Sequence, residues 1–173
     1  MEESLTFQTL DRKLGDHAPF LMSLSDDMEE ELRLVIAAGE ISEDGGRLPD
    51  FADLEKPVRD ALHGILADTK LIEPNEGRAY EICFHNYIMY QVRNESYSDW
   101  DPEEIRHGRY LILFGKSKLL SYLGEFTIAQ RFDDGSCYPG QWKHYGIYTQ
   151  SHIIDVIAHE EPEITRKSQG PDA

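Results

Sequence analysis

Residues 80–95 read YEICFHNYIMYQVRNE, and the reading of this stretch decides the fold. Two alternating runs, Tyr80–Asn86 and Tyr87–Glu95, meet at the polar pair His85-Asn86. Alternation with period two, rich in aromatic and β-branched residues, predicts two strands. A short polar joint between them predicts a tight β-hairpin. On a strand, alternate side chains share a face, so Arg93 and Glu95 point together and Asn94 points with Val92 and Tyr90. The strand thus ends in an arginine, an amide and a carboxylate in direct succession, and two readings follow. In the structural reading Arg93, Asn94 and Glu95 pin the strand end through charge-assisted hydrogen bonds. In the catalytic reading Glu95 is a general base, Arg93 clamps an anion and His144 completes a small hydrolase-like site.

Working outward, residues 109–114 (RYLILF) are apolar on both faces and predict a central strand. HYGIY, a polar Thr149-Gln150-Ser151 turn and HIIDVIAH predict a second hairpin. Asp155 interrupts its second strand, on the face opposite Ile154 and Val156. A lone acid there is either solvated or paired; exposure is the favoured reading, and Arg93 is one conceivable partner across the sheet. SDWDPEEIRHG predicts a two-turn helix, with Asp101 as N-cap, Pro102 in the first position and Trp100 and Ile105 as a hydrophobic staple. Ser117 is placed to cap a helix carrying Leu119, Leu120 and Leu123, while EFTIAQRF suits either a helix or a strand.

The first half is less patterned. Leu5, Phe7 and Leu10 fit a strand or a turn of helix, and Asp16 to Pro19 break the pattern. Residues 26–40 fit a helix by their acidic lead-in and Gly39, or a strand by the alternation of Leu32, Leu34 and Ile36; the alternation favours strand. EDGGRLPD at 43–50 and EPNEG at 73–77 predict turns. Leu54, Val58, Ala61, Leu62 and Ile65 recur at helical spacing and predict a helix over about 53–66 that covers one sheet face. The order of elements predicts an α+β domain over residues 1–160, with one largely antiparallel sheet and two or three short helices packed on it. Residues 161–173 are expected to be a frayed polar tail.

Charge is the largest compositional feature: 33 acids against 17 bases, a net charge of -16. Such a surface repels phosphate backbones and anionic membranes, so neither nucleic acid nor membrane is an expected partner. It either serves solubility alone or steers in a basic protein partner. No apolar run approaches the roughly 20 residues that span a bilayer, and the first residues lack the bases of a signal peptide. The expected location is cytoplasmic, with Cys83 and Cys137 as free thiols. No HxxxH, HxH, HExxH or CxxC spacing occurs, nor a GxSxG, GxGxxG or GxxxxGK[ST] string. Neither a metal nor another cofactor is therefore expected. Trp100, Tyr138 and Trp142 are the candidate interface anchors, because tyrosine and tryptophan outside regular elements often serve that role.

The strings NYIMYQVRNESYS and KHYGIYTQSHIIDVI resemble an uncharacterised bacterial family over roughly residues 80–160. Size, acidity and hairpin content also resemble toxin-immunity proteins. That likeness implies a non-enzymatic module that caps a basic toxin. The alternatives from the residues themselves are the hydrolase-like site on Arg93, Glu95 and His144, and a small-ligand binder on the tyrosine-rich sheet.

Overall fold

The computed structural model describes residues 5–28, 31–42, 51–66 and 70–167. Its class is α+β, with antiparallel strands throughout. The strands form two main sheets rather than one. β1 (His17–Asp26), β2 (Glu31–Ile41), β3 (Ile72–His85) and β11 (Glu163–Arg166) make a four-stranded sheet in the order β1-β2-β3-β11. β4 (Tyr87–Asn94), β5 (Ile105–His107), β6 (Leu111–Lys116), β9 (Lys143–Tyr148) and β10 (His152–Ala158) make a five-stranded sheet in the order β4-β10-β9-β6-β5. A two-stranded ribbon of β7 (Gln130–Arg131) and β8 (Cys137–Tyr138) stands apart.

The predicted hairpin at residues 80–94 is where one sheet became two. β3 and β4 are consecutive strands, but β3 bonds to β2 and β11 while β4 bonds to β10. Asn86, at φ 50°, turns the chain from one sheet into the other. Asparagine tolerates this left-handed conformation better than most residues. Alternation specifies which face of a strand is buried; it does not specify the neighbour.

The two sheets share a core. Leu32, Leu34 and Ile36 on β2 and Tyr80, Ile82 and Phe84 on β3 belong to one buried cluster with Leu111, Tyr145, Ile147, Ile154 and Val156 of the other sheet. Helix α1 (Phe7–Lys13) adds Phe7, Leu10 and Leu14 to it. Phe7 meets Phe84 of one sheet and Tyr145 of the other edge-on, at 6.5 and 5.1 Å between ring centres. Asp11 then ties α1 to the start of β6: its carboxylate accepts the backbone N–H groups of Arg109, Tyr110 and Leu111, each at 2.8 Å. Gly108, at φ 120°, leads into that turn, where a Cβ would stand 2.1 Å from the Leu111 carbonyl oxygen.

Several expectations change. Residues 26–40 contain strand, as the alternation favoured, and Asp16 to Pro19 lead into β1 instead of a break. Pro19 is tolerated there because β1 is an edge strand. EPNEG does not reverse the chain. Ala37 pairs with Ala79 and Ala38 with Asn75, so residues 76–78 bulge out of β3, and Asn75 Oδ1 accepts the Gly77 N–H at 2.9 Å. The C-terminal segment is not wholly frayed: β11 pairs with β3 and buries Ile164, which gives the free edge of β3 a partner. Residues 43–50, expected as a loop, lie outside the described residues, as do 168–173 of the tail.

The helix predicted from Asp101 does not form. Asp101 Oδ1 does accept the Glu103 N–H at 2.9 Å, as a cap would, but the chain makes one turn and enters β5. Pairing of β5 with β6 outweighs the local capping preference. Trp100 and Ile105 form no buried staple: both are exposed, and Arg106 lies 4.3 Å from the Trp100 ring centre. Helix α2 (Lys56–Leu66) forms where its spacing predicts, yet buries no residue and adds none to either hydrophobic cluster. Helix α3 (Lys118–Phe126), capped by Ser117 as expected, covers the outer face of the five-stranded sheet, where Leu119 and Leu123 pack on Ile157, Ala129 and Trp142.

Candidate functional site

Between α3, the segment from Tyr97 to Arg106 and the outer face of the five-stranded sheet lies a cleft of about 420 Å³. Its floor holds Gln91, Arg93, Phe114, His144 and Asp155. Strand register brings these together. Asp155 stands opposite Gln91 on β4 and opposite Gly146 on β9. Arg93 and His144 are each two residues from those partners, on the same face, at the diagonal distance that long side chains bridge. Gly146 leaves room for this: a Cβ there would meet Phe114 at 2.8 Å and Tyr148 at 3.0 Å.

Asp155 is 1% exposed and fully engaged. Oδ2 accepts from Gln91 Nε2 at 2.9 Å, Arg93 Nε at 3.1 Å and Arg93 Nη2 at 2.9 Å. Oδ1 bonds His144 Nε2 at 2.9 Å. Burial pushes the Asp155 carboxyl up, but the hydrogen bonds from His144 and Gln91 and the charges of His144 and Arg93 outweigh it, so the pKa lies below the usual carboxylate value. The series continues to Ser117, whose Oγ lies 2.8 Å from His144 Nδ1 and accepts the Leu120 N–H at 3.1 Å as the cap of α3. The Asp155 carboxylate can only accept, so the His144 Nε2–H donates to it, and Nδ1 is bonded to the Ser117 hydroxyl. Phe114 stacks on the imidazole at 4.0 Å, nearly parallel.

Serine, histidine and aspartate in hydrogen-bonded series are the components of a nucleophile, base and orienting acid. In this chain the serine hydroxyl is 2% exposed and caps a helix, and the cleft is lined by His144 and Asp155 but not by Ser117. Both ring nitrogens of His144 are occupied. The series acts as a truss joining α3, β9, β10 and β4.

The rim is built differently. Arg106 is held by Glu104 Oε2, at 2.6 Å from Nη2, and lies over Trp100, Phe114 and Tyr148. Lys118 pairs with Asp101 at 2.7 Å. That hydrogen bond raises the lysine pKa and, with the Glu103 N–H, lowers that of Asp101. Burial pushes the Tyr148 phenol up. Arg93, Arg106 and Lys118 are each paired with a carboxylate, though the Lys118 side chain stays 81% exposed; Tyr97, 88% exposed, Trp100, 67% exposed, and Asp99 also face water.

Of the residues singled out from sequence, Arg93, His144 and Asp155 converge. Glu95 does not: it opens an exposed 3-10 turn (Glu95–Tyr97), and its N–H donates to the Ser151 carbonyl at 3.1 Å. The strand end is pinned, but Arg93 takes Asp155 as its partner, and Asn94 caps the turn through the Ser96 N–H at 3.0 Å. Asp155 is paired rather than solvated. Trp100 and Tyr138 are exposed, as anchors should be. Trp142 is not: it is 8% exposed, packed beneath α3 with Arg131 5.2 Å from its ring centre. A loop tryptophan next to an uncovered apolar surface folds back onto it. Sequence reading missed Gln91 and Ser117 as partners. The diagonal between His144 and Asp155 was within reach once the Thr149-Gln150-Ser151 turn fixed the hairpin register; the contribution of β4 was not, because nothing in the sequence pairs β4 with β10. No helix among the described residues is long and apolar enough to cross a membrane. Comparison with protein-family models, with curated proteins and with solved structures returned no match for this chain.

Proposed function

We propose that this chain is a non-enzymatic protein-binding module that engages a basic protein partner through the acidic, aromatic rim of the cleft, in the manner of an immunity protein neutralising a toxin. The observation that carries the reading is the segment Glu95–Glu104. Its sequence holds five acids and no base; Asp101, Glu103 and Glu104 are paired with Lys118, Lys116 and Arg106 from neighbouring elements, while Glu95 and Asp99 stand exposed beside Tyr97 and Trp100. Rigid aromatic anchors set among like charges suit a partner of opposite charge, with the charges steering encounter and the rings supplying contact area. The net charge of -16 extends the same field over the molecule. A cytoplasmic location belongs to this reading, and Cys83 and Cys137, both free thiols, agree with it.

The test is affinity capture at low and high salt from the organism that encodes the chain. The wild type is compared with a Tyr97→Ser/Trp100→Ser double variant and an Asp99→Asn/Glu103→Gln double variant. A partner of pI above about 9, retained at low salt and lost from both variants, is the expected result. Identical capture by all three proteins overturns the proposal.

A further inference from the structure

The outer face of the four-stranded sheet carries a second cluster, remote in sequence and chemistry from the cleft. Cys83 and His85 are two residues apart on β3 and share that face. On one side β2 sets Glu31 directly opposite His85. On the other side β11 sets Glu163 directly opposite Cys83. A carboxylate oxygen of Glu31, the Cys83 sulfur and a ring nitrogen of His85 all lie within 4.8 Å of one another. His85 Nδ1 is 2.9 Å from Glu31 Oε1, and its Nε2 is 3.6 Å from Glu163 Oε2. We propose that Glu31, Cys83 and His85, with Glu163 as fourth ligand, form a zinc site that clamps β2, β3 and β11 together.

The donor set selects the ion. Thiolate and imidazole are poor ligands for magnesium and calcium, which take oxygen, and good ones for zinc. Tetrahedral zinc with bonds of about 2.0–2.3 Å needs donors about 3.3–3.7 Å apart, so small rotations close Glu31, Cys83 and His85 onto an ion, while the exposed Glu163, which faces the other ring nitrogen of His85, must swing round the imidazole to complete the set. Cys83 is 4% exposed, which puts its sulfur at the inner apex with the carboxylates outside it. On binding, the thiol gives its proton to solvent as the zinc–sulfur bond forms.

Arg33 is the group that must yield. It bonds Glu31 and also reaches Glu81 at 3.4 Å, where Lys167 stands 2.9 Å from the other carboxylate oxygen. Released from Glu31, Arg33 keeps Glu81 and stays beside the site. Cys83 thiolate, Glu31 and Glu163 supply three negative charges; zinc and Arg33 supply three positive charges. The cluster with zinc is therefore electrically balanced without rearranging the strands.

Zinc chloride alone, titrated into the protein against a chromophoric chelator, tests this. One equivalent should bind. Cys83→Ser and His85→Gln should each weaken binding by at least roughly 100-fold, the upper end of what losing even an outer partner costs. Glu163→Gln should weaken it by roughly tenfold, and Cys137→Ser should leave it unchanged. Cobalt(II) in place of zinc should give a thiolate-to-metal charge-transfer band that Cys83→Ser abolishes and Cys137→Ser retains. Circular dichroism verifies that each variant is folded; should Cys83→Ser not fold, the half-exposed His85→Gln decides. Equal zinc affinity in the wild type and the deciding variant, or a cobalt complex without the thiolate band, overturns the proposal.

Discussion

On the outer face of the five-stranded sheet, α3 roofs Asp155 and His144, and the two are about as buried as the core leucines. On the outer face of the four-stranded sheet, Glu31, Arg33, Glu81 and Lys167 form a ladder of ion pairs that no described helix covers, and Arg33 and Lys167 stay 39% and 49% exposed. Both faces pair acids with bases across neighbouring strands. The difference is access to water. Under the roof, an unpaired charge has no solvent to fall back on, and both oxygens of Asp155 are bonded. In the open, water competes for each partner, and a single pair contributes little. Equal chemistry therefore carries unequal weight, and the weight follows burial.

The largest effect expected from this comparison is at Asp155. Asp155→Ala should cost about 3–5 kcal/mol in urea unfolding, toward the lower figure because Arg93 and Gln91, both part-exposed, can turn to water while His144 cannot. A loss under about 1 kcal/mol breaks the comparison. Its acid limb sharpens it. The folded pKa of Asp155 is lowered, so the folded state binds fewer protons than the unfolded chain. The associated stability is fully present above the ordinary carboxyl value of about 4 and is lost as pH falls through the folded pKa. Asp155→Asn should flatten that part of the stability profile. Next comes Asp11→Ala, which strands three N–H groups at the start of β6, that of Leu111 buried, and should cost about 2–3 kcal/mol. Gly146→Ala forces Phe114 off its contact with His144 and should cost about 1–2 kcal/mol, seen as a lower melting temperature. On the bare face, Lys167→Gln severs the Glu81 pair for under about 1 kcal/mol. The smallest effect is Glu95→Gln, within about 0.5 kcal/mol, since its carboxylate is exposed and Arg93 belongs to Asp155. A large shift there would mean that the strand end is held by Glu95 after all.

Local patterns were legible where nothing distant competed with them. The β9–β10 hairpin follows from its alternation and its three polar turn residues. The cap at Ser117 follows from a hydroxyl before a run of leucines. Residues 101–107 show the opposite case. Their capping pattern is intact, and the cap hydrogen bond even forms, but β6 offers a strand partner and the aromatic rings of Trp100, Phe114 and Tyr148 hold Arg106. Two helical turns, worth little in isolation, lose to that. Residues 73–77 carry good turn chemistry that is used for a bulge. Of the site, Arg93, His144 and Asp155 were visible as polar intrusions in apolar runs, and Arg93 as a conceivable partner of Asp155; that all three meet with Gln91 at one carboxylate was not.

From sequence alone follow the α+β class, the alternation of Leu32, Leu34 and Ile36 and of the β9–β10 hairpin, the excess of acids and the polar residues that interrupt apolar strands. These depend on each residue's own hydrophobicity and on the period of the chain, which are local properties. Which strands pair, that the chain passes between two sheets at Asn86, that Asp155 meets Arg93 and Gln91, and that Glu31 and Glu163 flank Cys83 were decided by tertiary structure. Each of these depends on which strand edges find each other once the shared core forms, and that choice minimises exposed apolar surface over the entire chain rather than over any one segment of it.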